Sequence, residues 1–203
     1  MLLHDVCNFF GARVAWPSMD GRTARGAKNR QAVLEAALAL IDEGTLQPTA
    51  QAVAERAGVA TRSVYHHFRD LETLYLDAAQ TQIARHWVVL MEPVNGELTE
   101  RIDRLVALRA ELFERVSATR RAALLREHES PVLSERLDES RAALRAHLRT
   151  HLPELENLDA PVREAAYALC SWESWDVLRR HQSLSVADAR ASVTTVLTRL
   201  LTG

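Results

Sequence analysis

The chain has 203 residues, 47% hydrophobic, 26% charged and 5% aromatic, with a formal net charge of −2. That balance belongs to a globular protein and excludes both a disordered chain and a polybasic nucleic-acid glue. No apolar run reaches the roughly 18 residues needed to span a bilayer, so no membrane partner is expected.

Residues 1–21 read as a disordered leader. The opening Met1–Phe10 stretch is broken by His4 and Asp5, which makes a poor signal-peptide core. Met19 opens a more ordinary beginning, and residues 1–18 read as an over-extended start. Arg22, Arg25, Lys28 and Arg30 then form a cationic stretch without an acid. It is either a phosphate-tracking arm or a solvated terminus.

Helical periodicity starts at about Lys28 and runs to Glu43, with Val33, Ala36, Ala37, Leu40 and Ile41 on one stripe. Gly44 stops it. Thr49 is placed to cap a short helix over Ala50–Ala57, Gly58 breaks that helix, and a third spans Thr61–Phe68. Asp70 caps a fourth helix carrying Leu71, Leu74, Tyr75 and Ala78. Two short helices joined by a glycine turn, with a third before them, make a helix-turn-helix.

Glu92–Leu98, containing Pro93 and Gly96, reads as the domain boundary. Beyond it, helices are expected at about 98–118, 120–129, 131–152, 161–181 and 186–201, with Pro131 and Pro161 in first turns. The last places Val186, Ala189, Val193, Val196, Leu197 and Leu200 on one seam. With the 161–181 helix it forms half of an intermolecular four-helix bundle, or covers its own core. The fold expected is all-α. An N-terminal three-helix helix-turn-helix domain (residues 22–78, its fourth helix continuing to about 90) precedes a larger helical domain (91–203).

The run Thr49 to Phe68, with its Ala57-Gly58-Val59 turn followed by Tyr65-His66-His67-Phe68, closely resembles the helix-turn-helix of TetR-family transcriptional regulators. The likeness covers about residues 28–78; the C-terminal part is similar only in length and helicity. The resemblance implies a homodimer on double-stranded operator DNA, a repressor released by a small-molecule inducer, and a cytoplasmic location without a cofactor. An activator on the same fold, or a helical protein-binding scaffold, is the alternative. Helical geometry independently turns Val64 and Phe68 inward and leaves Thr61, Arg62, Tyr65 and His66 outside. The resemblance makes Thr61, Arg62 and His66 base-edge candidates, and Thr49, Ser63, Tyr65 and His67 phosphate contacts. Arg25 in the basic arm joins this set. Where many relatives have Lys at the start of the fourth helix, this chain has Leu71, and Arg69 is the nearest substitute.

In the 98–118 helix, Arg109 falls at the centre of a stripe made by Ile102, Leu105, Val106, Leu112, Phe113 and Val116. A buried guanidinium needs a counter-charge. Glu173 and Asp176 extend the Val162, Ala165, Ala166, Leu169 stripe and are the expected partners, flanked by Trp172 and Trp175. Either Arg109 is tied permanently to one of them, or Arg109, Phe113, Trp172, Glu173 and Asp176 line the inducer pocket.

His147 and His151 stand four apart and could reach a metal with His128 or Glu127, but no metal site is assigned. Cys7 and Cys170 share no motif, which argues against a disulfide framework and fits a reducing cytosol. No phosphate loop, nucleophile elbow or His-Glu-x-x-His motif occurs, so an enzyme is not expected.

Overall fold

The computed structural model describes residues 21–203, in which the chain forms nine α-helices and no strand. The leader expected over residues 1–21 lies outside the described residues except at Gly21, where the first helix begins. In chain order these are α1 (Gly21–Asp42), α2 (Ala50–Ala57), α3 (Thr61–His67), α4 (Leu71–His86), α5 (Leu98–Leu124), α6 (Pro131–His151), α7 (Ala160–Leu169), α8 (Trp172–Asp176) and α9 (Val186–Thr202). The all-α class holds. Among the described residues, Gly21 to Arg85 form one compact unit with Ala118–Ser134, and His86–Ser117 forms another with Glu135–Gly203. The sequence pattern suggests a single cut at residues 92–98. Along the chain, α5 and α6 each contribute residues to both units.

The first unit is built on the stripe of α1. Val33, Leu34, Ala36, Ala37 and Leu38 bury against Val53 and Ala54 of α2, Val64 of α3, Phe68, and Leu74 and Ala78 of α4. The α1 helix begins seven residues before the apolar periodicity does, because its first turns lack large apolar side chains and leave no stripe to read. Thr49 caps α2 by accepting from the Ala52 N–H at 3.2 Å. Gly58 ends it at φ 66°, with Val59 N–H reaching Ala54 O at 3.0 Å. Only this left-handed residue lets the chain reverse within one turn and start α3 at Thr61. Asp70 then caps α4, accepting from Thr73 N–H at 2.7 Å.

A second cluster joins Ile41, Tyr75 and Ala122, with Leu71 packed against both clusters. Leu71, half-buried at the start of α4, therefore belongs to the packing of this unit. Arg126 lies 4.5 Å over the Tyr75 ring. Ser130 receives the Leu133 N–H at 3.2 Å, which caps α6 one residue ahead of Pro131.

Two helices differ from the sequence expectation. No separate helix covers residues 120–129. The α5 helix runs unbroken to Leu124, and the chain turns through Leu125–Glu129 with Glu129 N–H on Arg126 O at 3.0 Å. Ser117 does not interrupt α5, because its hydroxyl is satisfied by Phe113 O one turn back at 2.6 Å. The single helix expected over 161–181 is instead divided at Cys170–Ser171. Ser171 caps α8 by accepting from Ser174 N–H at 3.2 Å, and α8 widens into a π-turn over Val177–His181.

In the second unit Ile102, Leu105, Val106, Leu108, Leu112 and Phe113 of α5 are buried, as are Leu144 and Leu148 of α6. On α7 the buried residues are Ala166 and Tyr167, while Val162 and Ala165 are exposed and Leu169 is half-buried. On α9 the expected seam is shared: Ala189, Val193 and Leu197 are buried, whereas Val186 and Val196 are exposed.

A Cβ added at Gly58 would meet no atom within 4 Å, so a substitution there is opposed only by the left-handed backbone. Gly58→Ala should lower unfolding stability by about 1–2 kcal/mol. Gly26→Ala, inside α1 and equally unobstructed, should raise it by up to about 1 kcal/mol. Urea titrations of the two variants check the opposite signs.

Candidate functional site

Helix α3 has seven residues, too few to hold its own conformation, and it is fixed by what it buries. Val64 and Phe68 are each 1% exposed. With those two inward, Thr61, Arg62, Tyr65 and His66 are exposed, and Ser63 and His67 are half-buried at the edges. Thr49 is exposed as well, though its Oγ1 is engaged at the α2 cap, which leaves its hydroxyl proton for a partner. Residues 61–67 thus offer a short polar helix face of the kind that enters a major groove.

The charges around this face are not equally available. Arg30 is paired with Asp77 and lies 4.8 Å over the Phe68 ring, and Arg56 is paired with Glu43. Arg69 is 91% exposed, with Asp70 at 3.8 Å. Arg25 and Lys28 are exposed on α1 and Arg62 on α3, and none of the three forms an ion pair among the described residues. Burial, with His66 and Arg30 nearby, lowers the pKa of His67.

The second unit holds the anomaly anticipated on α5. Arg109 is buried at 4% exposure. Its expected carboxylate partners are elsewhere: Glu173 accepts from Arg141 Nε at 3.2 Å, and Asp176 lies 3.6 Å from Arg180. Arg109 donates instead to two main-chain carbonyls, Cys170 O at 2.8 Å and Leu144 O. The helix break explains the change. The Ser171 hydroxyl takes the Ser174 N–H that would have gone to Cys170 O in a continuous helix. This frees the carbonyl at the end of α7 for the guanidinium.

Two small hollows flank Arg109, each with room on the scale of water rather than of a large ligand. One is bounded by Leu105, Val106, Phe113, Trp175 and Val193. The other is bounded by Leu144, Arg141, Arg145, Tyr167, Trp172 and Glu173. The structure therefore brings Arg109, Trp172 and Glu173 together and puts Phe113 on the opposite side. Asp176 borders neither. Trp172 Nε1 donates to Ser117 Oγ at 3.0 Å, and Trp175 Nε1 to Glu114 at 2.8 Å. Arg141, Arg145, Tyr167 and Cys170 are lining residues missed in the sequence. Arg141, Leu144, Arg145 and Leu148 share three- and four-residue spacing on α6 and could have been read as one edge of a pocket.

Near this site, His147 meets Leu90 O through Nε2 at 3.0 Å, and its Nδ1 is buried without a hydrogen-bond partner. Its ring is 4.5 Å from that of His151. No group of three metal-binding side chains occurs among the described residues. Burial, then the positive charges of Arg109 and His151, hold the His147 pKa down at about 3. Burial also pushes the Cys170 thiol up to about 11.

Comparison with known proteins matches residues 33–78 to the family model for bacterial regulatory proteins, tetR family. Among curated proteins none matches the chain. Several solved structures share its fold. One is described as a TetR-family transcriptional regulator from Rhodococcus sp., with 22% identity, 86% of this chain and 99% of that one covered, and a TM-score of 0.61. A second is a transcriptional regulator from Rhodococcus sp. Rha1, with 19% identity, 88% and 96% covered, and a TM-score of 0.66. A third is described as a fatty acid metabolism regulator from Clostridium perfringens, with 17% identity, 85% and 97% covered, and a TM-score of 0.58. Residues 33–78 of the first unit thus match the tetR-family model, and the chain shares its fold with proteins described as transcriptional regulators. No helix among the described residues is long and apolar enough to cross a membrane.

The depressed His147 pKa has a definite sign. Above the ordinary imidazole value of 6.5 both folded and unfolded chains carry it neutral. Below 6.5 the unfolded chain takes up a proton that the folded chain refuses until about 3, so stability falls as pH falls through that window. His147→Gln should remove up to about 1.4 kcal/mol per pH unit of that loss between about pH 6 and pH 4. Denaturant titrations of both proteins across the window check the difference in slope.

Proposed function

We propose that the protein is a ligand-responsive transcriptional regulator that binds a near-palindromic operator as a homodimer and represses until a small molecule releases it. The observation that carries this reading is the outward presentation of Thr61, Arg62, Tyr65 and His66 on a helix locked by Val64 and Phe68, within the matched segment. Thr61, Arg62 and His66 read base edges. Thr49, Ser63, Tyr65, His67, Arg69 and Arg25 contact phosphates and set the register.

The dimer places two such helices about 34 Å apart, in successive major grooves. Support for it comes from apolar side chains left open on α7 and α9: Val162, Val186 and Val196 are 36–42% exposed. A second copy covering these helices would complete the seam that each chain buries only in part.

Release requires only that the ligand prefer the arrangement with the reading heads wrongly spaced. A hundredfold preference corresponds to about 2.7 kcal/mol. Arg109 and Phe113, proposed ligand contacts with Trp172, Glu173 and Asp176, lie on α5, whose last residues belong to the first unit. A ligand-dependent preference in α5 therefore has a covalent route between the units.

Selection from a random pool of DNA duplexes tests the reading. An enriched inverted repeat, bound by a dimer, is expected; a pool that never enriches would overturn the DNA-binding role. On the enriched site Arg62→Ala should weaken binding by about 1–3 kcal/mol and relax preference at one base pair. Arg69→Ala should weaken all sequences alike and reduce the salt slope by about 1.

A further inference from the structure

The most unusual group in the second unit is one that carries charge without a counter-charge. Arg109 remains a cation at any ordinary pH. It is 4% exposed, its Nε has no hydrogen-bond partner, and its two bonds go to carbonyl groups. The free end of α7 offers roughly half a negative charge at most. The remainder is unanswered.

The hollow beside it is unlike an ordinary packing defect. Arg109, Arg141 and Arg145 border it against a single carboxylate, Glu173. Arg141 and Arg145 are engaged with Asp138, Glu173 and Glu164, but all of these side chains are at least one-third exposed. Such exposed pairs are worth little and exchange readily. The other walls are mainly Leu144, Leu148, Tyr167 and Trp172, two aliphatic and two aromatic, with Cys170 and Ser171 beside them. The site is therefore cationic at its floor, cationic and exchangeable at its edge, and apolar along its sides.

We infer that this hollow, widened on binding, takes an organic carboxylate with a compact apolar body. Its carboxylate supplies the counter-charge that Arg109 lacks, and Arg145, whose guanidinium lies 4.1 Å over the Tyr167 ring, closes over the anion. The body lies between Tyr167 and Trp172. A neutral molecule of the same shape leaves the guanidinium as it was, and an amine adds a second uncompensated cation. The acid is thus selected over both. The inference deepens the proposed function by naming the class of effector, yet the site can be tested without DNA.

Titration calorimetry on the full chain would compare phenylacetate, benzoate and octanoate with their amides and with phenethylamine. At least one acid should bind about tenfold or more tightly than its amide, as a charge-assisted pair requires, and phenethylamine should not bind. Arg109→Met should abolish the preference for acid. Should that variant fail to fold, Arg145→Gln, at an exposed position, should still weaken the acid several-fold and leave the amide unchanged. If acid and amide bind alike, or no acid binds up to millimolar concentration, the inference is overturned. Preference that survives unchanged in a folded Arg109→Met protein overturns it too. An acid that binds through Arg109 but leaves operator affinity unaltered retains the site and sinks the inducer role. Loss of DNA binding alone leaves the calorimetry untouched.

Discussion

A permanently charged guanidinium sits in the core of the second unit, and the surrounding helices are broken and capped in the way needed to hold it. Arg109, on α5, reaches Leu144 O on α6 and Cys170 O at the end of α7, so one side chain ties three helices to a common point. The carbonyl at Cys170 is free because Ser171 supplies the acceptor for Ser174 N–H. A helix C-terminus carries partial negative charge and needs donors for its last carbonyls. Arg109 meets that need from a different helix. The guanidinium thus finds an acceptor at the helix end, and the helix end finds a donor.

The first unit addresses a different constraint. A seven-residue helix must be rigid while keeping most of its side chains outside. Anchoring it with Val64 and Phe68 leaves the four outward residues little part in folding, so they can change at little cost to the fold. Leu71 belongs to the same arrangement. Half-buried and packed against two clusters, it joins the α1–α4 core to the end of α5. The neighbouring cation at that end of α4, Arg69, extends freely into solvent.

Local signals were the legible ones. The caps at Thr49 and Asp70, the left-handed Gly58 and the short α2 and α3 all follow from residue types within a few positions of one another, and the structure reproduces them. Burial of Arg109 was legible too, since periodicity alone puts it on the stripe. Its partner was not. Glu173 and Asp176 fall in line with the α7 stripe only if the helix continues through Cys170, and the break there rotates them toward Arg141 and Arg180. A main-chain acceptor has no sequence signature, so reasoning from charges alone looks for a carboxylate and finds the wrong one. The α5 extension to Leu124 was hidden for a similar reason: Ser117 and Thr119 look like breakers until their burial within the helix is seen. The division of α5 and α6 between two compact units follows contacts between segments distant in sequence, which periodicity cannot register.

An arginine held by carbonyls alone is a poor way to stabilise a core. Replacing a buried charged group by a well-packed apolar one is often neutral or stabilising. The arrangement makes better sense as one half of an interaction. A site complete without its ligand gains little on binding, and it gains equally in every conformation, so it cannot shift an equilibrium between states. A site lacking one charge gains the missing term only when an anion enters, and only in conformations that keep α5, α6 and α7 around Arg109. Its occupancy is then linked by mass action to the stability of that arrangement. On the proposed reading, the electrostatic deficit at Arg109 makes the unit responsive, and the small size of the hollows means that the response must include movement of the helices that line them.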